Sequence, residues 1–249
     1  MQLGLESKRA VVTGASRGIG FAIADALAAE GVAVSICARG QAGLEAAAEK
    51  LRRHGGTVHA APTDVADKAA LEAYMDAAAA ALGGLDILVN NPSGFGRVDD
   101  EEGWRVGLDV DLMALVRASW KAIPHMQAAG GGAIVHISSI SGLTSSARTP
   151  PYGAVKAAVN QYTLTQALKL APDGIRVNAI APGSIYFEGG TWANAKRDNP
   201  KLYESIKASI PTGRYGTPEE IASLAVFLAS DAASWVTGQT IAADGGQML

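Results

Sequence analysis

Three side chains in the middle of the sequence can move a proton to or from an oxygen: Ser139, Tyr152 and Lys156. Tyr152 and Lys156 stand at i and i+4 in Tyr152-Gly-Ala-Val-Lys156, so on a helix they lie one above the other on the same face. An ammonium beside a phenol favours the phenolate and lowers its pKa from about 10 toward neutrality. Such a phenol serves as a general acid toward a carbonyl oxygen and as a base toward an alcohol, typically worth ~10²–10⁴ in rate. Ser139 closes an apolar run and can hydrogen-bond the same oxygen. A Tyr-x-x-x-Lys alone is usually a surface pair. Its meaning comes from the strand-end serine and a glycine turn far upstream.

That turn is Thr13-Gly-Ala-Ser-Arg-Gly-Ile-Gly20. Glycines at 14, 18 and 20 permit a tight turn, close approach of backbone to a pyrophosphate, and close helix–strand packing. The following helix N-terminus offers unpaired N–H groups to the anion. Gly14, Ser16, Arg17, Gly18, Ile19 and Gly20 are the residues it presents to a dinucleotide. A lone glycine triplet is weak evidence; its place after a strand and before an amphipathic helix strengthens it. An NAD site usually has an acid near the end of the second strand for the ribose 2′-hydroxyl. Here that end reads Ile36-Cys-Ala-Arg39, without an acid. Arg39 and Arg17 can instead face a 2′-phosphate, so NADP(H) is favoured, with NAD(H) as the alternative.

The elements that must position these groups follow from alternating patterns. Apolar, β-branched runs at Arg9–Thr13, Val32–Ala38, Thr57–Pro62, Leu85–Asn90, Ala133–Ser138, Arg176–Ala181 and Thr240–Ala243 read as buried strands. Between them, helices are predicted at about 18–30, 43–54, 69–82, 102–128, 152–170 and 218–229. Such alternation implies right-handed crossovers and an α/β fold: one Rossmann-type domain over 1–249, a doubly wound parallel sheet of about seven strands. Only Ser184 to Gly213 breaks the rhythm, with Gly189-Gly190, Pro200 and Pro211, and is a candidate substrate lid. Tyr186, Phe187, Trp192 and Tyr203 make it aromatic, which suits an apolar or flat substrate or simply packs the lid onto the body.

Composition bounds the alternatives. Of 249 residues 48% are hydrophobic, and the net charge of -3 leaves no basic stripe for nucleic acid or anionic lipid. No run is long enough to span a bilayer and the N-terminus lacks a signal-like apolar region, so a cytoplasmic protein is expected. One cysteine, Cys37, excludes an intrachain disulfide; it sits in an apolar run and reads as a small core residue. The four histidines show no metal-ligand spacing, and no metal is expected.

With these motifs in order, the chain resembles the short-chain dehydrogenase/reductases over essentially its whole length, in general pattern nearest the ketoacyl reductase-like members. The resemblance rests on Thr13–Gly20, Asp64-Val65, Asn90-Asn91, Ser139, Tyr152/Lys156, Pro182-Gly183 and the ending Thr237-Gly-Gln-Thr-Ile-Ala-Ala-Asp-Gly-Gly246. It implies Asp64 near the adenine with Val65 beside it, Asn91 near the adenosine side, and Lys156 on the nicotinamide ribose. It also implies that the backbone just past Gly183, at Ile185, meets the nicotinamide amide, and that the chain forms a homotetramer, or less often a dimer, partly through the two long helices. The implied activity is interconversion of a carbonyl and a secondary alcohol. An NADPH-dependent reductase is favoured; the alternatives are an NAD-dependent alcohol or diol dehydrogenase and, lower, a non-catalytic cofactor-binding sensor or scaffold.

Three departures stand out. Where the family usually has an Asn serving a proton relay to the lysine, Leu108-Asp-Val-Asp-Leu112 places Asp111, which joins Ser139, Tyr152 and Lys156 in the candidate catalytic set. A relay through the main-chain carbonyl accommodates Asp; one through the side-chain amide does not. The usual Asn-Asn-Ala-Gly reads Asn90-Asn91-Pro92-Ser93-Gly94, and Pro92 removes a donor and fixes φ. The threonine usually found shortly after Pro-Gly is displaced to Thr191. Finally, Gln127–Gly132 and Ala171–Gly174 carry no Arg or Lys, which argues against an acidic carrier-protein partner and for a free small-molecule substrate.

Overall fold

The computed structural model describes residues 2–249. Strands β1 (Arg9–Thr13), β2 (Ala33–Ala38), β3 (Val58–Pro62), β4 (Ile87–Asn90), β5 (Gly132–Ile137), β6 (Ile175–Pro182) and β7 (Thr240–Ala243) form one parallel sheet in the order β3-β2-β1-β4-β5-β6-β7. The order reverses between β1 and β4, and the crevice at the carboxyl ends there is where open α/β sheets bind ligands. The near-continuous apolar strands are covered on both faces. Ala10 and Val12 join the core that holds Ile23, Leu27, Ile36 and Leu51, while Val11 between them joins the one that holds Leu71, Met75, Leu88 and Ile134. Each such side chain removed from water contributes ~1.5–3 kcal/mol.

The crossovers are α1 (Gly18–Ala29), α2 (Gln41–Arg52), α3 (Lys68–Leu82), a long composite helix, α6 (Pro150–Leu170) and α9 (Pro218–Ala229). Several start where local chemistry dictates. Asp67 accepts from the Ala70 N–H to cap α3, prolines occupy the first positions of α6, and Thr217 with Glu220 forms a capping box on α9.

Two regions differ from the sequence pattern. The predicted helix at 102–128 is α4 (Glu101–Val106), a π-helical turn Gly107–Met113 and α5 (Ala114–Ala128). The wider turn lies where Gly107 lets the helix approach α6, since a Cβ there would stand 3.3 Å from Val155 Cγ2. The segment after β6 is not structureless: it folds into α7 (Thr191–Asp198) and α8 (Pro200–Ala208). Its aromatics serve this small unit. Tyr203 stacks on Tyr215 at 4.6 Å, Trp192 packs on Tyr215 at 5.3 Å, and Tyr186 and Trp192 line the cluster around Ile206 and Ile210. Of the two readings of the lid aromatics, packing holds for Tyr186, Trp192 and Tyr203.

Candidate active site and dinucleotide cradle

The cradle begins where β1 ends. Gly14 (φ +66°) and Gly18 (φ +57°) take the left-handed backbone that glycine alone adopts freely, and the Ala15 N–H donates to the Cys37 carbonyl of β2. The turn is therefore fixed beside the end of β2, where Arg39 is exposed. Asn91, just past β4, braces it from the other side, its amide donating to the Gly14 carbonyl at 2.8 Å. A Cβ on Gly20 would overlap that Asn91 amide and the Gly14 carbonyl. Asn91 thus acts on the glycine turn itself, a positioning role that its family motif did not specify.

The donor set fits an anionic dinucleotide. α1 carries no side-chain cap at Arg17 and no acid in its first turn, so its first N–H groups, at Arg17 to Gly20, are left unspent for an anion. Val65 is buried beside β3, and Asp64 beyond it is exposed, its carboxylate accepting from the Ala66 N–H at 3.1 Å. At β6 the Gly183 N–H donates to Ala243 O, and a Cβ on Gly183 would meet Asp244 Cα at 2.7 Å. Ile185 bridges Gly216 in parallel through Ser184 O and the Tyr186 N–H, which leaves the peptide groups of Ile185 itself directed the other way. Arg17 Nη1 donates to Gly189 O at 3.2 Å, reaching the segment that follows β6, and Phe187 comes over Gly18, with Thr191 exposed at the start of α7.

The proton-handling groups converge at the carboxyl ends of β4 and β5. Ser139 follows β5, buried, its hydroxyl accepting from the Ser141 N–H at 3.1 Å. The ammonium of Lys156 lies 5.6 Å from the centre of the Tyr152 ring, as the i, i+4 spacing on α6 requires. It donates to Ile137 O at 2.9 Å and stands 3.1 Å from Asp111 Oδ1. Both charges are out of water. Oδ1 nevertheless has no well-directed hydrogen bond, whereas Oδ2 accepts from the Gly94 N–H at 2.9 Å. The Pro92 loop links these groups. It passes Gly14, drops its Gly94 N–H into Asp111, and turns at Phe95 (φ +51°), whose ring meets Tyr152 edge-on at 4.9 Å.

This geometry corrects one expectation. Burial pushes the Tyr152 phenol up; Lys156 pulls it down, Asp111 pushes it up again, and the hydroxyls of Ser139 and Ser93 favour the phenolate. The balance leaves Tyr152 above the ordinary phenol value, not below it. Lys156 shows the reverse balance: burial disfavours its charge, but Asp111 and Tyr152 outweigh that and raise it. The role of Ser93 and the opposing effect of Asp111 had no signal in the sequence beyond the departures themselves.

The enoyl-(acyl carrier protein) reductase family model matches residues 14–248. The cis-4-hydroxycyclohexanecarboxylate dehydrogenase of Sinomonas cyclohexanicum is 42% identical over 242 residues, 95% of each chain. The chain belongs to the short-chain dehydrogenase/reductase family. Among solved structures, the L-sorbose reductase of Gluconobacter frateurii, complexed with NADPH and L-sorbose, superposes with a TM-score of 0.94 at 34% identity, covering 100% of this chain and 99% of that one. A 7α-hydroxysteroid dehydrogenase complexed with NADH and 7-oxo glycochenodeoxycholic acid gives 0.91 at 32% identity, covering 98% and 95%. This short-chain dehydrogenase/reductase is accordingly an NAD(P)-dependent oxidoreductase acting on alcohol and carbonyl groups. Among the described residues no helix is long and apolar enough to cross a membrane.

Proposed function

We propose that this one-domain enzyme reduces a small-molecule ketone to a secondary alcohol with NADPH, using Tyr152 as the proton donor. The observation that carries it is the juxtaposition of Tyr152 with a buried, charge-paired Lys156 and a strand-end Ser139 at the mouth of a dinucleotide cradle. The bound nicotinamide supplies the hydride that adds to the carbonyl carbon. Tyr152 gives its phenolic proton to the oxygen as that oxygen becomes an alcohol, and Ser139 holds the oxygen beside the phenol. Lys156, fixed by Ile137 O, steadies the phenolate that results and reaches the nicotinamide ribose. Gly14 to Gly20 would hold the pyrophosphate, Asp64 and Val65 would flank the adenine, and Asn91 keeps the turn in shape. The backbone at Gly183 and Ile185 would hold the nicotinamide.

The preference for NADPH rests on Arg39 and on the absence of an acid at the end of β2. Arg17 is engaged with the lid in this structure, which favours a modest preference and keeps the NAD-linked alcohol dehydrogenase as the second reading. The named relatives act on a ring alcohol and on a sugar, so a cyclic or polyhydroxylated substrate suits the chain best. The long helices support homotetramer formation, because they leave apolar side chains in water: Trp120 on α5 is 57% exposed and Leu168 on α6 is 82% exposed.

Replacement of Tyr152 by Phe tests the core of the proposal. Turnover of a cyclic ketone with NADPH should fall by ~10²–10⁴, with cofactor Kd unchanged within a few-fold. Near wild-type turnover removes Tyr152 from the acid role, whereas a wild-type protein that binds the cofactor without turning over any carbonyl favours the sensor or scaffold reading.

A further inference from the structure

Asp111 is the one buried carboxylate at the site, and it touches two things at once. Oδ1 lies 3.1 Å from the Lys156 ammonium, and Oδ2 accepts the Gly94 N–H of the loop whose next residue, Phe95, walls Tyr152. We propose that Asp111 is a positioning residue that divides the charge of Lys156 between itself and Tyr152, keeping the phenol protonated at neutral pH and setting the pH at which both directions of the reaction turn on and off. The inference rests on the proton-donor reading of Tyr152.

The physical argument is one of charge at close range out of water. An ammonium facing only a phenol lends its whole field to the phenolate. When a carboxylate sits against the same ammonium, the pair is close to neutral seen from the phenol, and much of that stabilisation is cancelled. Neither partner is exposed enough for solvent to screen the effect. The preparation for proton donation is then a property of the resting site: the phenol carries its proton before the ketone arrives. In the opposite direction a base has to be made first, against Asp111.

The groups facing this cluster come from every element packed on it. The π-helical turn contributes Asp111; Asp109 on the same turn pairs outward with Arg105. α6 contributes Tyr152 and Lys156, and the loop after β4 contributes the Ser93 hydroxyl, with Arg97 stacked over Phe95 at 5.3 Å. From β5 come the Ser139 hydroxyl and His136. Burial takes His136 down to about 4, and it lies between the Asn90 amide at 3.2 Å and Gln166 Oε1 at 3.0 Å, so it stays neutral through the working range.

The test is the pH dependence of Asp111→Asn, which retains an acceptor for Gly94 and removes the charge. The limb on which oxidative kcat/KM with NADP+ rises with pH, and the limb on which reductive kcat/KM with NADPH falls with pH, should both move down by about 0.5–1 pH unit. The equilibrium constant ties the two directions together at any one pH, so the readout is the position of the limbs and not the ratio of the two rates. The ultraviolet tyrosinate titration, taken as the difference from Tyr152→Phe in the same cofactor complex, should move the same way. Asp111→Glu should keep the wild-type limb. A folded Asp111→Asn enzyme whose two profiles superimpose on wild type overturns the inference. If that variant does not fold, carbon-13 NMR of ring-labelled tyrosine in the wild-type complex decides: a Tyr152 phenolate at neutral pH overturns it, a protonated phenol supports it. Failure of the proton-donor reading looks different, since it leaves Tyr152→Phe active whatever Asp111 does.

Discussion

The two ends of the site handle charge in opposite ways. At the ends of β4 and β5, Lys156 and Asp111 are buried together, each holding the other in a medium that punishes an unpaired ion. At the ends of β1 and β2, Arg39 and Arg17 stand in water, on or beside the glycine turn. A buried pair costs several kcal/mol per ion to desolvate and recovers it only through its partner, while an exposed contact is worth ~0–1 kcal/mol and yields to salt. The chemistry of the reaction is therefore built into the folding energetics of the chain. The choice between NADPH and NADH is a light surface feature laid over the same backbone.

The largest effect should come from breaking the buried pair. Lys156→Met leaves the Asp111 carboxylate uncompensated, and a loss of ~3–5 kcal/mol of stability is expected, read as a fall in Tm, together with loss of turnover and of cofactor affinity. The double variant Lys156→Met/Asp111→Leu removes both charges and should recover most of the Tm without recovering activity. If the double variant is as unstable as the single one, the burial contrast drawn above is wrong and packing volume is what matters.

A middle-sized effect should come from the backbone of the cradle, where no charge is involved. Gly20→Ala puts a methyl group into the Asn91 amide and the Gly14 carbonyl. Overpacking of this kind typically costs ~1–3 kcal/mol. Since the displaced atoms are those that shape the turn, KM for the dinucleotide should rise about tenfold or more, with kcat at saturation changed much less. A wild-type KM would show that the turn can shift without losing the pyrophosphate.

Much of this was legible from residue types. The strand of Arg9–Thr13, the helix of Pro218–Ala229 and the strand of Thr240–Ala243 fall where apolar runs and cap residues place them, because burial on two faces and capping are local signals. The i, i+4 geometry of Tyr152 and Lys156 needed only the helix. What stayed hidden depends on contacts between distant segments. The π-helical turn at Gly107–Met113 follows from its approach to Val155, and that approach turns Asp111 onto Lys156. The helices α7 and α8 are amphipathic, but the glycines and prolines around them read as a break in the rhythm, and their apolar faces pack on Tyr215, which lies beyond them in sequence. Lys156 lowers the Tyr152 phenol as their spacing implies, but the burial and the Asp111 carboxylate that oppose it exist only once the chain has folded.

The smallest expected effect, and the one most sensitive to conditions, is at Arg39. A 2′-phosphate carries close to two negative charges, and a guanidinium can meet it with two charge-assisted hydrogen bonds. Arg39, just past β2, is exposed, so the contact is worth only ~0.2–1 kcal/mol, a factor of about two to five in affinity. Arg17 adds to this only by giving up its bond to Gly189 O, which is itself an exposed contact of similar size. Arg39→Ala should therefore raise KM for NADPH by a few-fold, leave NADH untouched, and flatten the salt dependence of the ratio between them, since screening acts on the charge removed. Adding Ala38→Asp should go further and reverse the ranking, because the new carboxylate repels the phosphate and accepts from the ribose 2′-hydroxyl. Steady-state kcat/KM for both cofactors at two ionic strengths measures all of this. An enzyme that prefers NADH at low salt, with Arg39→Ala leaving that preference unchanged, would place the Arg39 side chain away from the adenosine ribose. The cofactor proposal would then fail, and the buried half of the comparison would stand without it.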